Sequence, residues 1–285
     1  MSVYKTTEYP ISRLGTPPPI PAKTLLLVHQ IPELGEQQLR EFLDRTVRDG
    51  HDIRHLYQVM IDAIRSNKVY LVKELLRCEM PISSIYVREA VKGKAKDILT
   101  VFFDNGWDIN TPMSGMSPPI LTNALEDLDM TIWLLDRGAD PNTRCDIDIT
   151  PLSHAVRFAD LPTIDLLLRR GGDVRIGQLM HNAIYRESDT LKVVEILIDR
   201  GASLNSLMYQ DHQYSWNMFP FMRETPLHTA VALRRHDVIR YLIHKGANLK
   251  IENCRGQTVM QSADEDTKRV IMQEIQESST LHASL

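Results

Sequence analysis

The sequence predicts an all-α fold: a solenoid of about seven helix-turn-helix units with an N-terminal cap helix and one long inserted loop. Three observations carry that prediction. A Thr-Pro-Leu start recurs, in Thr150-Pro151-Leu152-Ser153-His154-Ala155 and in Thr225-Pro226-Leu227-His228-Thr229-Ala230. An aliphatic run follows each start, Ile164 to Leu168 and Val238 to Ile243. A glycine turn then closes each unit, Arg170-Gly171-Gly172-Asp173 and Lys245-Gly246-Ala247-Asn248. Self-similar units of this size cannot bury their own apolar faces, so they stack on one another.

Each residue type in the pattern has a physical task. Thr caps the first helix by accepting a backbone N–H bond, and Pro at the first helical position loses nothing, because its missing donor has no partner there. Ala sits where neighbouring first helices approach closely. The aliphatic run of the second helix supplies most of the buried area, at about 25 cal/mol per Å². Gly after the second helix takes the left-handed conformation that ends it. In the first unit Glu79 stands in that place, so its helix is expected to end differently, with Pro81 unable to continue it.

Along the chain, residues 1–32 form an extended Pro-rich segment. Thr16-Pro17-Pro18-Pro19-Ile20-Pro21 favours polyproline geometry, as a surface tail or as a ligand for a proline-reading domain. Residues 33–55 read as the cap helix, with Leu39, Phe42, Leu43 and Val47 at helical spacing in a charged segment. Residues 56–265 hold the repeats. Ala63 with Leu75-Leu76, and Ala90 with Asn105-Gly106-Trp107-Asp108, mark degenerate early units. Pro119 to Ala124 with Arg137 to Asn142, and Gln178 to Ala183 with Arg200 to Asn205, mark two more, and Gly256 to Ala263 a terminal one. Ala63 to Glu79, Ala90 to Gly106, Ala155 to Gly171 and Ala230 to Gly246 are each a step of 16, whereas Ala124 to Gly138 is 14 and Ala183 to Gly201 is 18. The turns inside those two units are therefore expected to be shortened and lengthened. Residues 266–285 form a last helix and C-terminal cap, with Val270, Ile271 and Ile275 on one side and Asp266, Lys268, Arg269 and Glu274 on the other.

The T-P-L-H-x-A start and the G-A-x-x-N end resemble the ankyrin-repeat family. The resemblance implies L-shaped repeats whose first helices line a concave surface overhung by connecting fingers, and a non-enzymatic scaffold that binds another protein there. It also implies that His181 and His228, in the T-P-L-H place, bridge neighbouring loops by hydrogen bonds. His154 is displaced from that place by one residue, toward the groove.

Composition narrows the function classes. The chain has 285 residues, 43% hydrophobic and 25% charged, a balance suited to a folded soluble protein. A net charge of -4 with dispersed Lys and Arg argues against nucleic-acid binding. Cys78, Cys145 and Cys254 are far apart and odd in number, which favours a reducing compartment. The longest apolar run near the N-terminus, Leu25 to Val28, is far below the roughly 20 residues of a bilayer span, and no signal-peptide order precedes it. The expected setting is cytoplasmic or nuclear, without membrane insertion. No metal-ligand spacing, P-loop, GxGxxG or GxSxG motif is present, so neither cofactor nor metal is expected.

The largest departure from the repeat lies after Gly201. Gly138 is 12 residues from Thr150, but Gly201 is 24 from Thr225, so some 12 residues are inserted. Tyr209, His212, Tyr214, Trp216, Phe219 and Phe221 crowd this segment, 206–222. Aromatic residues are enriched at interfaces because they bury large area at low rotamer cost. The segment is either an exposed recognition element or a small core folded back on the groove. His154, Arg157, Asn182 and Tyr185, on first-helix rows, complete the expected binding set for a protein partner. The alternative is an enzyme or small-molecule binder whose pocket lies between the insertion and the first helices around residues 154–230, with His154, Tyr185 and His212 as acid/base groups.

Overall fold

The computed structural model describes residue 31 and residues 34–283; the Pro-rich stretch from Thr16 to Pro21 lies outside the described residues. The described chain divides into two compact units, one ending at Gly106 and one beginning at Trp107.

In the first unit, helix α1 (Glu36–Arg48) packs on the second helix of the first pair. Leu39 and Leu43 are buried as expected, but Val47 is exposed and Thr46 turns inward in its place. The Thr46 hydroxyl donates to the Phe42 carbonyl at 2.9 Å, so its burial leaves no polar group unpaired. Arg40 reaches the buried Glu74 carboxylate at 2.6 Å and Arg77 reaches it at 2.7 Å, and together they hold that carboxyl below its usual range. The two pairs are α2 (Tyr57–Arg65) with α3 (Val69–Arg77), and α4 (Ser84–Lys92) with α5 (Lys96–Asp104). First helices contact first helices and second contact second, with Ala63 and Ala90 buried at the former contact.

Glu79 does not end its helix differently. It takes φ 64°, the left-handed conformation that Gly106, Gly138, Gly171, Gly201 and Gly246 adopt at the same place. The Glu79 N–H donates to the Leu76 carbonyl and the Met80 N–H to Leu75, as Gly246 and Ala247 do to Ile243 and Leu242. The closing bonds outweigh the steric cost of a Cβ in that region.

The second unit contains five pairs among the described residues, the first of them irregular. A short antiparallel hairpin, β1 (Pro112–Ser114) with β2 (Ser117–Pro119), leads into a 3₁₀ turn at Ile120–Ala124 and then α6 (Leu128–Leu135). The spacing shortened by two residues is met by tightening the first helix to 3₁₀ as well as by a brief turn. The remaining pairs are α7 (Pro151–Phe158) with α8 (Leu161–Arg169), α9 (Leu179–Ile184) with α10 (Thr190–Asp199), α12 (Pro226–Ala232) with α13 (His236–His244), and α14 (Val259–Ser262) with α15 (Glu265–Ala283). The 3₁₀ turn, α7, α9, α12 and α14 pack in a row. Ala155, Ala183 and Ala230 are 0% exposed along it, because only a methyl group fits between first helices at that distance. Behind them, Val193, Val194 and Leu197, and Val238, Ile239 and Leu242, form the fully buried layer of the second helices.

Candidate functional site

The insertion leaves and rejoins the second unit at one point. Met208 is buried and its N–H donates to the Glu224 carbonyl at 3.0 Å, closing the base of the excursion. Within it lies a short helix, α11 (Gln213–Met218), so the segment expected as a loop is folded. His212 caps that helix: its Nδ1 accepts from the Ser215 N–H at 3.3 Å and lies 3.0 Å from the buried Ser215 Oγ. On the return segment, the Arg223 guanidinium sits 4.0 Å over the Trp216 ring and donates to the Trp216 carbonyl at 2.8 Å. The Phe221 and Arg223 carbonyls accept from Cys254 Sγ at 3.1 Å and from the Cys254 N–H at 2.8 Å.

A polar latch holds the other side. Arg144 lies 2.5 Å from the buried Asp148 carboxylate and 2.7 Å from Asp211 of the insertion. Gln178 donates to both acids, at 2.6 Å and 3.0 Å, and its Oε1 accepts the Tyr209 N–H at 2.8 Å. Burial pushes the Asp148 carboxyl above its usual range against the pull of Gln178 and Arg144. Tyr209, in the left-handed conformation at φ 64°, is thereby tied to Gln178 of the preceding repeat.

From these supports a row of rings emerges. His154 is half-buried, its ring 4.7 Å from that of Phe158, and burial together with the Arg157 charge holds its imidazole below the ordinary value. Arg157 lies 5.3 Å over Phe158 and 4.9 Å over Tyr185. Tyr185 is half-buried, which raises its phenol. Burial likewise raises the phenol of Tyr209, which lies within electrostatic reach of Tyr185 and Arg157 and stacks at 5.4 Å on Phe219. Phe219 meets Phe221 edge-on at 6.3 Å. Phe221 is 70% exposed and Phe158 66%, with Tyr214 and Met218 also open to solvent. Asn182 is set apart from the rings in role: its amide donates to the Gly177 and Gln178 carbonyls and braces the start of α9.

A cleft of about 360 Å³ opens beside the base of the insertion, lined by Gln178, Leu179, His181, Ser203, Ser206 and Asp211, and His154, Tyr185 and His212 are not among the residues that line it.

The fingers between helix pairs are stapled by asparagines. Asn110 donates to the Gly138 carbonyl at 2.9 Å and accepts the Asp140 N–H at 2.8 Å, and Asn142 does the same to Gly171 and Asp173 at 2.9 Å and 2.7 Å. Asn205 accepts from the Asn248 N–H at 2.8 Å. The ankyrin repeat family model matches residues 222–254, the unit with the fullest pattern. The chain is an ankyrin-repeat protein. Alpha-latrocrustotoxin-Lt1a of Latrodectus tredecimguttatus is 31% identical over 140 residues, 49% of this chain and 9% of the toxin. The ankyrin repeat protein FPV018 of Fowlpox virus (strain NVSL) is 23% identical over 227 residues, 69% of this chain and 31% of that protein. This chain thus spans less than a third of the length of these relatives. The human ASB11 ankyrin repeat domain superimposes with a TM-score of 0.51 at 20% identity, covering 75% of this chain and 96% of that one, which is a likeness of fold. Ankyrin repeats are in general protein–protein interaction modules.

Within the ankyrin repeats, His181 and His228 occupy the bridging place. His181 Nε2 lies 2.9 Å from the Glu224 carbonyl and His228 Nε2 lies 3.1 Å from that of Gln257, each one unit onward. In the fourth repeat Ser153 takes that place, bonding Thr150, and Gly177 closes over both; a Cβ on Gly177 would lie 2.9 Å from Thr150 Oγ1. Sequence reasoning missed Phe158, Arg144, Asp148 and Arg186. Phe158 was readable as an aromatic residue adjoining the Arg157 row. The latch had no local signal, since Arg144 and Asp211 are 67 residues apart.

Proposed function

We propose that this ankyrin-repeat protein is a non-enzymatic scaffold that grips a protein partner with the second unit, through the first-helix row and the folded insertion together. The observation that carries the reading is two ring groups within electrostatic reach of each other, Phe158 and Tyr185 bridged by Arg157, and Tyr209, Phe219 and Phe221 in ring contact, with Phe158 66% and Phe221 70% exposed. Exposed large apolar side chains, standing on half-buried rings and packed supports, are what recognition surfaces require. The insertion is held before any partner arrives, by the latch on one side and by Cys254 and Arg223 on the other, so little ordering cost opposes binding.

Affinity capture from native lysate with wild type, Phe158→Ser and Phe221→Ser tests the reading. Neither ring is in the core, so both variants should melt within a few degrees of wild type while losing the captured partner by more than about 2 kcal/mol of binding. Unchanged capture in both variants would overturn it.

A further inference from the structure

Arg157 stands toward the Phe158 end of the ring row, exposed and without a paired carboxylate. Its guanidinium lies over Phe158 at 5.3 Å and over Tyr185 at 4.9 Å, and its N–H edges have no acceptor among the described residues. Several arginines of the surrounding repeats are paired with carboxylates instead. Arg144 pairs with Asp148 and Asp211, Arg170 with Asp136, Arg175 with Asp173, and Arg200 with Asp165. The acids within electrostatic reach of the row are engaged otherwise: Glu224, which acts on Tyr185, accepts from the Thr229 hydroxyl at 2.8 Å, Asp148, which acts on Tyr209, is held in the latch, and Glu126 acts on His154.

Resting on the docking surface proposed above, we infer that the occupant is a segment of a protein partner presenting an Asp or Glu carboxylate to Arg157, beside an aliphatic or aromatic side chain that covers Phe219 and Phe221. The complementarity is geometric as well as electrostatic. A guanidinium is a planar fork that matches a carboxylate with two parallel hydrogen bonds. Contacts with two rings restrain its guanidinium, so the fork loses less freedom on binding than that of a free arginine. The single positive charge selects one carboxylate. The apolar rings selected by a neighbouring side chain set the direction in which the segment lies.

A random-peptide phage library panned on the full chain tests this. Wild type should enrich peptides with an Asp or Glu next to an aliphatic or aromatic residue, and Arg157→Glu should exchange the acid for Lys or Arg. A synthetic peptide from the wild-type selection should bind Arg157→Gln at least about tenfold more weakly, with Arg157→Lys intermediate. A consensus without an acid, or one unchanged by Arg157→Glu, overturns the inference. If that consensus is nevertheless abolished by Phe221→Ser, the docking surface stands and only the acid recognition fails. Binders indifferent to both substitutions, or no enrichment at all, overturn the surface as well.

Discussion

The Arg186 guanidinium, in the lengthened turn of the fifth repeat, donates to the Val156 carbonyl at 2.6 Å at the end of the preceding first helix. It also donates to Ala159 at 2.8 Å and to Ser188 at 3.0 Å, so that a side chain 4% exposed satisfies carbonyls that helix α7 leaves open. Burial lowers its affinity for the proton, and the charges of Asp189 and Asp160 oppose that shift. Replacing Arg186 with Ala should cost about 3 kcal/mol, since charged hydrogen bonds are lost and buried carbonyls are left unpaired. Urea unfolding reads this directly. Arg186→Lys should recover little of it, because an ammonium cannot span the three directions of the fork; full rescue by Lys would show that charge alone matters.

The latch makes a pH-dependent claim. Asp148 is buried with a carboxyl raised above its usual range, so folding favours its protonated form, and its contribution to stability falls as pH rises through that raised pKa. Removing Arg144 takes away the charge that tolerates the ionised form. Arg144→Ala should therefore cost about 3 kcal/mol at neutral pH and measurably less at pH 5. Hydrogen exchange around Tyr209 and Asp211 should quicken in the variant. An equal cost at both pH values would separate Asp148 from the effect.

His181 works in the opposite direction. Complete burial pushes its pKa from the ordinary 6.5 down to about 4. A depressed histidine contributes stability that is present above about pH 6.5 and is lost as pH falls through the window toward 4. Between pH 7.5 and pH 5 the loss should be about 2 kcal/mol from this residue. Burial lowers His228 and His154 as well, so they add to the same slope. In His181→Gln the protein should be less stable at pH 7.5, with a visibly flatter profile. A profile parallel to wild type would assign the acid sensitivity to other groups.

Glu79 offers a substitution in the stabilising direction. It is exposed and sits at φ 64°, where every other unit with a matching turn has glycine. Glu79→Gly should remove the left-handed cost, offset in part by the extra freedom of glycine in the unfolded chain, for a net gain of up to about 1 kcal/mol. A raised Tm by calorimetry checks it, and a lowered Tm would mean that the Glu79 side chain stabilises the turn.

Much of this architecture was legible because its signals are local. Thr150 and Thr225 cap their helices as the motif requires, accepting from Ser153 and His228, and the alanine steps fall at the contacts between first helices. The altered steps were legible too, though not their solutions: a 3₁₀ first helix at Ile120–Ala124, and Arg186 filling the longer turn. Of the candidate residues, His154, Arg157 and Tyr185 stand on first-helix rows that the repeat register locates, whereas Tyr209, Phe219 and Phe221 belong to an insertion that no register places. Asn182 and His212 turned out to brace helix starts, a role set by neighbours one turn away and not by residue type. The latch depended on Arg144, Asp148, Gln178 and Asp211 meeting across three loops, and no period in the sequence announces that.

The Asn205 to Asn248 staple spans 43 residues, where Asn142 reaches Asp173 across 31. The additional stretch is thus looped out between two intact rungs, with Met208 and Glu224 meeting at its neck. A neck of this kind turns the position into an exchangeable socket: a different hairpin or short helix grafted between Met208 and Glu224 would inherit the frame of the neighbouring repeats, and the specificity of the molecule would change without its foundations being rebuilt.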